Sequence, residues 1–318
     1  MKVANARKIG PRFFDRTVLA IGNFDGVHRG HHAILSEVVR LAKTTGGPSV
    51  IYTFQPHPRK VLFGPDSTRV LTDFDTKVRL LSRFGVDWMV WDEFTRDFSE
   101  QSAAEFVEKR LVGTFHVEHV LLGYDSHFGK DRSGGASELV ELGRRFNFTV
   151  DQLGPVHVGE RPISSTWIRE SIESGNIRMA NGLLGYEFFL NGIVWKGQRR
   201  GRTLGFPTAN LLTQAEVLPK TGVYATRVRL DGKILDSVTN VGLNPTFTEG
   251  GAGHPLNIET HIFGLDADIY GRQIDVIFHD RLRDEQKFSG VEALKAQITA
   301  DCQKARDLLA KMPPPEDF

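Results

Sequence analysis

The stretch Gly22-Asn23-Phe24-Asp25-Gly26-Val27-His28-Arg29-Gly30-His31 decides how this chain is read. The apolar run Thr17-Val18-Leu19-Ala20-Ile21 precedes it, and Ala33, Ile34, Val38, Leu41 and Ala42 after it share one helical face. The order is strand, glycine-bearing turn, helix. It aims backbone N–H groups and a helix N-terminus at whatever occupies the turn, which favours an anion. His28 and His31 add side-chain donors, and either can carry positive charge beside a phosphate. Gly30 leaves the backbone between them bare, so a bulky phosphate has room to approach. A His-x-x-His pair also suits a metal. The lack of a nearby cysteine and the flanking glycines suit an anion better.

Downstream, strand and helix signals alternate. Ser49–Phe54 reads as a strand after the helix stop Gly46-Gly47-Pro48. Gln55-Pro56-His57-Pro58-Arg59 follows at its carboxyl end, where parallel sheets bind ligands. By itself the segment is either a rigid turn with an exposed histidine or a binding loop. A helix over Asp75–Phe84, a strand over Val86–Trp91 and a helix over Ser102–Leu111 come next, the last covering a core with Ala103, Phe106, Val107 and Arg110. The strand Val117–Leu122 ends in Gly123-Tyr124-Asp125, before a loop, Phe128–Gly134, that carries Lys130 and Arg132. This alternation predicts a parallel sheet covered on both faces. In Ile163-Ser164-Ser165-Thr166-Trp167-Ile168-Arg169 the hydroxyl residues suit a helix N-cap. Arg169, one turn in, opposes the helix dipole and is better explained as an arm reaching an anion.

A short helix over Gly175–Leu184 ends at Gly185, and the texture then changes. Phe188–Trp195, Val223–Leu230, Lys233–Thr239, Asn257–Phe263 and Gln273–Phe278 alternate as strands, with an Asp231-Gly232 turn, and predict an antiparallel barrel. A helix over Gly290–Ala310, apolar at Leu294, Ile298, Cys302 and Leu309, closes the chain before Pro313-Pro314-Pro315. The expected domains are 1–185 and 186–318. Gly197–Asn210 is a basic, glycine-bearing loop that lacks the Gly-Lys-Ser/Thr of a Walker A loop. Thr208 and Asn210 alternate on its closing strand, and their hard oxygens suit a hydrated Mg²⁺ carrying ATP phosphates. A solvated basic turn is the plainer alternative.

The composition sets bounds. The chain has 318 residues, 40% hydrophobic and 25% charged, with net charge +1, which argues against a nucleic-acid or membrane-surface partner. Cys302 is the single cysteine, so neither an intramolecular disulfide nor a Cys-based zinc site is expected. Met1–Gly10 lacks the apolar core of a secretory signal. No apolar run approaches the roughly 20 residues of a membrane span. A cytoplasmic protein is expected.

Gly22–His31 resembles the His-x-Gly-His signature of the nucleotidyltransferase superfamily. In its longer form it resembles the adenylyltransferase half of the prokaryotic bifunctional riboflavin kinase/FAD synthetase family. Phe54-Gln55-Pro56-His57-Pro58 is similar to that family's flavin-side Phe-x-Pro-His-Pro stretch. Gly123–Gly129 is similar to its Gly-Tyr-Asp-Phe-x-Phe-Gly, with Ser126 where Phe is usual. Ile163–Arg169 is similar to the second nucleotide signature. Pro207-Thr208-Ala209-Asn210 resembles the riboflavin kinase signature, as do Gly222–Ala225, Asn240–Phe247 and Arg281–Phe288, while Tyr186 replaces a usual Arg. The fold implied is a Rossmann-like parallel-sheet nucleotidyltransferase domain, then an antiparallel β-barrel kinase domain with a C-terminal helix.

The resemblance implies phosphorylation of riboflavin to FMN and adenylylation of FMN to FAD. For the second reaction it implies ATP contacts from Gly22, Phe24, His28, Gly30, His31, Asp125, Ser164, Thr166 and Arg169, and flavin contacts from Phe54, His57, Pro58 and Phe128. For the kinase it implies ATP contacts from Gly197, Arg202, Gly205, Pro207, Thr208 and Asn210, with Mg²⁺ at Thr208 and Asn210. Glu259, Arg283 and Phe288 would face the flavin. Glu259 would be the catalytic base, while His28, His31 and Arg169 would act electrostatically, with no protein nucleophile. Riboflavin, FMN, FAD and ATP would be the ligands, with no nucleic acid or membrane; a homo-oligomer stays open. A kinase with a degenerate N-terminal half and a non-catalytic flavin-binding regulator are the alternatives.

Overall fold

The computed structural model describes residues 1–130, 134–196, 205–243 and 256–315. Two compact units emerge, Met1–Ser165 and the residues from Thr166 onward.

In the first unit, strands β1 (Lys2–Asn5), β2 (Thr17–Ile21), β3 (Ser49–Gln55), β4 (Trp88–Glu93), β5 (Val117–Gly123) and β6 (Thr149–Leu153) form one sheet. Its order is β1-β4-β3-β2-β5-β6, and every pairing is parallel. β1 and β6 are edge strands that the sequence reading passed over. β2 is buried along its whole length, as a central strand covered on both faces must be. The chain runs from β2 to β3 on one side, and after β4 it returns to β5 on the other. The carboxyl ends of β2 and β5 therefore flank the switch point at which such sheets take ligands.

The helices are α1 (Arg29–Thr45), α2 (Pro58–Phe63), α3 (Phe74–Ser82), α4 (Arg96–Ser99), α5 (Ala103–Phe106) and α6 (Ala136–Phe146). α1 ends where Gly46 turns left-handed, φ 74°, as its sequence predicts. The helix expected over Ser102–Leu111 is α5 continued by a π-helical segment, Val107–Val112. Within it Arg110 lies 5.9 Å over the ring of the core residue Phe98, and its guanidinium reaches the buried Asp92 at 3.0 Å. Two short strands, β7 (His157–Val158) and β8 (Arg161–Pro162), pair antiparallel after β6.

In the second unit, α7 (Ser165–Glu173) and α8 (Ile177–Leu184) precede strands β9 (Phe189–Trp195), β10 (Ala209–Leu212), β11 (Gly222–Leu230), β12 (Lys233–Leu243), β13 (Leu256–Ile262) and β14 (Gln273–Arg283). These strands close a barrel in the order β10-β13-β12-β11-β14-β9, all antiparallel. Inside it a ladder of hydroxyls joins three strands: Thr226 meets Ser237 and Thr239 at 2.7 Å each, and Thr239 meets Thr260 at 2.9 Å. Each satisfies the next, so burial leaves no orphan among them. Helix α9 (Val291–Leu309) lays Cys302, Ala305 and Leu309 against Val223, Ala225 and Val238 on the barrel's outer face. α8 packs on β14, with Asn181 Nδ2 donating to Phe278 O at 2.9 Å.

Candidate functional site

The turn after β2 carries the first candidate site. Phe24 and Val27 both adopt positive φ, 47° and 37°, a costly conformation that only a well-tied turn sustains. The ties are visible. Asp25 Oδ1 accepts from the N–H groups of Leu71 at 2.8 Å and Thr72 at 3.3 Å. Gly26 N–H donates to Thr72 Oγ1 at 3.2 Å, and Ser165 Oγ–H donates to Asp25 O at 3.0 Å.

His28 caps α1, and its N–H donates to His31 Nδ1 at 3.2 Å. The neutral His31 imidazole therefore carries its hydrogen on Nε2 and presents a donor. The two rings stack 3.7 Å apart at 20°, and Phe24, itself buried, supports His31 from 5.2 Å. Two imidazolium ions cannot stack so closely without strong repulsion. Burial first, then the charges of His28, His32 and Lys77, holds His31 well below the usual imidazole value. Gly30 has a second reason to be glycine: a Cβ there would stand 3.0 Å from His28 Cε1.

The remaining first-unit residues also sort themselves. Gly22 gives room to the Phe24 ring, 3.2 Å from where its Cβ would be. Phe54, partly buried at the carboxyl end of β3, meets Tyr52, Phe94 and Phe98 at 5.1, 5.7 and 5.7 Å. His57 caps α2, with Pro58 in its first turn, and His57 Nδ1 accepts from Arg59 N–H at 3.2 Å. The segment expected as a stiff loop is thus a helix start, which the N-terminal proline suits. Phe128 packs 5.8 Å from Phe106 and pairs as a β-bridge with Gly134. Asp125 is exposed after β5, beside Phe128 in sequence. Ser164 stands immediately before α7, and Thr166 and Arg169 lie on that helix.

The sequence reading missed Lys77 and Asp92, both buried. Lys77 Nζ donates to Asn23 O at 2.7 Å. Its signal is a lysine on the buried stripe of α3, with Thr76, Leu80 and Leu81. Asp92 accepts from Tyr52 Oη–H at 2.9 Å, and burial followed by that carboxylate pushes the Tyr52 hydroxyl well up.

The second candidate site lies on the barrel. Asn210 pairs across strands with Glu259, and Glu259 in turn with Asn240, so the three share one face. Asn210 is buried and Glu259 half-exposed; Asn257 Nδ2 donates to Glu259 Oε1 at 2.7 Å. β10 begins at Ala209, so Thr208 stands one residue outside the strand expected to hold it. His261 Nδ1–H donates to Pro207 O at 2.8 Å and keeps this approach alongside β13. Pro207, Thr208 and Asn210 line a cleft of about 270 Å³ with Thr260, Ile262 and the loop Leu265–Tyr270. Gly205 is exposed with φ 86°, a left-handed turn before that approach. Arg283 is bidentate to Asp301 of α9, at 3.0 and 2.7 Å, and lies 5.8 Å over the Phe288 ring. Gly197, Arg202, Arg132 and Asn244–Phe247 lie outside the described residues.

Known proteins are similar to this chain over most of its length. A family pattern described as FAD synthetase matches residues 11–167, and one described as riboflavin kinase matches residues 184–309. The bifunctional riboflavin kinase/FMN adenylyltransferase of Pseudomonas fluorescens is 38% identical over 92% of this chain and 93% of its own. That of Listeria monocytogenes is 38% identical over 93% of each. A crystal structure described as a macrolide-efflux protein from Streptococcus pneumoniae superposes with a TM-score of 0.86 at 31% identity, over 96% of this chain and 99% of that one. Among the described residues no helix is long and apolar enough to cross a membrane.

Proposed function

The chain belongs to the bifunctional riboflavin kinase/FMN adenylyltransferase family, and from that premise we propose how its residues divide the two reactions. The protein phosphorylates riboflavin to FMN in its C-terminal part and adenylylates FMN to FAD in its N-terminal part. We place the functional boundary at 185/186.

In the kinase, Glu259 accepts the proton of the riboflavin 5′-hydroxyl as the hydroxyl oxygen attacks the γ-phosphorus of ATP and ADP leaves with the bridging oxygen. The observation that carries this assignment is the direct pairing of Asn210 with Glu259, a carboxylate beside an amide on one barrel face. The hydroxyl of Thr208 and the amide oxygen of Asn210 form an oxygen-only donor set, which fits Mg²⁺ arriving with ATP. When bound, the ion neutralises phosphate charge. Pro207 and Gly205 shape the approach, and Arg283 and Phe288 border the flavin.

In the adenylyltransferase, an oxygen of the FMN phosphate attacks the α-phosphorus of ATP, and pyrophosphate leaves. His28, His31, Ser164 and Arg169 hold the phosphates as charge builds, with Gly22, Gly30, Asp125 and Thr166 around the nucleotide. Phe54, His57, Pro58 and Phe128 border the flavin. The enzyme works in the cytoplasm in this reading.

The test is product chromatography after incubating purified protein with riboflavin and MgATP. FMN followed by FAD is the expected result. FMN alone would support a kinase with a degenerate N-terminal half, and flavin binding without turnover would support a regulator. Repeating the assay with a magnesium chelator should stop FMN formation.

A further inference from the structure

We propose that Lys77 is a positioning residue for adenylyl transfer: its ammonium, seated on the Asn23 carbonyl, fixes the turn that carries the two imidazoles and places a buried positive charge behind them. The inference rests on the assignment of His28 and His31 to the phosphates given above.

Lys77 is 6% exposed, so it does nothing for solubility. Burying an ammonium costs several kcal/mol unless its surroundings compensate. The surroundings here are the turn itself. Lys77 Nζ donates to Asn23 O at 2.7 Å, and Thr53 Oγ1–H donates to the same oxygen at 3.3 Å. Asp25 supplies the opposing charge through space, while burial alone pulls the ammonium downward. Lys77 therefore grips the residue just before Phe24, the first of the two strained positions of the turn. Thr72 and Leu71, a few residues before Lys77, hold the far side of the same turn through Asp25 and Gly26. One short segment of chain thus sets the backbone from Asn23 to Gly26, and that backbone sets where His28 begins α1.

The charge has a second effect. Burial first, then three cationic or cation-forming groups, His28, His32 and Lys77, hold the His31 imidazole well below its usual value. An anionic phosphate chain arriving at the site would offset the repulsion that His31 feels.

The test compares Lys77→Met, which removes the charge at similar volume, with Lys77→Arg, which keeps it, and with His31→Ala. Each variant is assayed for FMN-to-FAD conversion over a range of pH, and riboflavin phosphorylation by the same chain is the control. Lys77→Met should lower kcat for FAD formation about tenfold or more with little change in the FMN KM, as expected when a positioned group is lost. Its pH limb belonging to His31 should move to higher pH, because one of the charges that depress the imidazole is gone while burial, the larger cause, remains. Lys77→Arg should restore the limb to its original position. To separate misfolding from mispositioning, FMN binding is measured by fluorescence on each variant. Retained binding with lost turnover supports positioning, and lost binding overturns it. An unshifted limb in Lys77→Met, or unchanged turnover, overturns the proposal while a crippled His31→Ala leaves the histidine assignment standing. Full activity in both Lys77→Met and His31→Ala overturns the two together.

Discussion

At the scale of single residues, polar side chains are tied by their neighbours where the proposed chemistry needs fixed geometry. Glu259 illustrates the point: Asn257 orients its carboxylate and Asn210 stands across from it. Glu259→Gln keeps the shape and removes the proposed base. FMN formation should fall about 10²–10⁴-fold in kcat, the usual worth of a general base, with the riboflavin KM nearly unchanged in steady-state assays. A second residue carries a pH prediction. His279 is almost wholly buried on β14; burial first, then Arg227, lowers its imidazole from the usual 6.5 to about 4. Its folded pKa is depressed, so the neutral form stabilises the barrel above pH 6.5. That contribution is lost as pH falls toward 4, a loss of about 3 kcal/mol when complete. Thermal unfolding of the parent should therefore weaken between pH 7 and pH 4.5, and His279→Gln should flatten that dependence.

At the scale of elements, the C-terminal helix α9 is held by side chains at both ends of its barrel contact. The Asp301 carboxylate takes the Arg283 fork. Arg227, buried on β11, donates to Leu309 O at 2.8 Å and Met312 O at 3.1 Å, to Pro313 O, and to Asp236. It therefore caps the carbonyl end of α9, where a cation also complements the helix dipole. Arg227→Met leaves those carbonyls without their donor and should cost about 3 kcal/mol. Differential scanning calorimetry should show the kinase half melting earlier, and FMN formation should fail at a lower temperature than FAD formation from supplied FMN. The π-helical segment after α5 is another element the sequence conceals. Its residues keep helical spacing, and the distant Asp92 decides that the Arg110 guanidinium, lying over Phe98, also meets a carboxylate.

At the scale of the whole molecule, the two signature sets define two activities on one chain. His28→Ala with His31→Ala should let FMN accumulate from riboflavin with no FAD. Glu259→Ala should make no FMN yet convert supplied FMN to FAD. Mixing the two variants should restore FAD from riboflavin, as read by chromatography. Loss of both activities in either variant would contradict separate sites.

Much of this was legible in one dimension. Strand-turn-helix order, the Pro207–Asn210 signature and the change of texture after Gly185 all follow from patterns within a few residues, because periodicity and turn stereochemistry are local. The sequence therefore determined the parallel sheet and the barrel. Charge states and partners depend instead on what lies across space. Lys77 meets Asn23 from 54 positions away, Arg227 meets Leu309 from 82, and Glu259 finds Asn210 only through barrel register. Burial by remote segments is what lowers the His31 imidazole and seats an apparently ordinary lysine on the turn after β2. Only the tertiary structure decided those, since desolvation and Coulomb energy depend on distance in space and are blind to order along the chain.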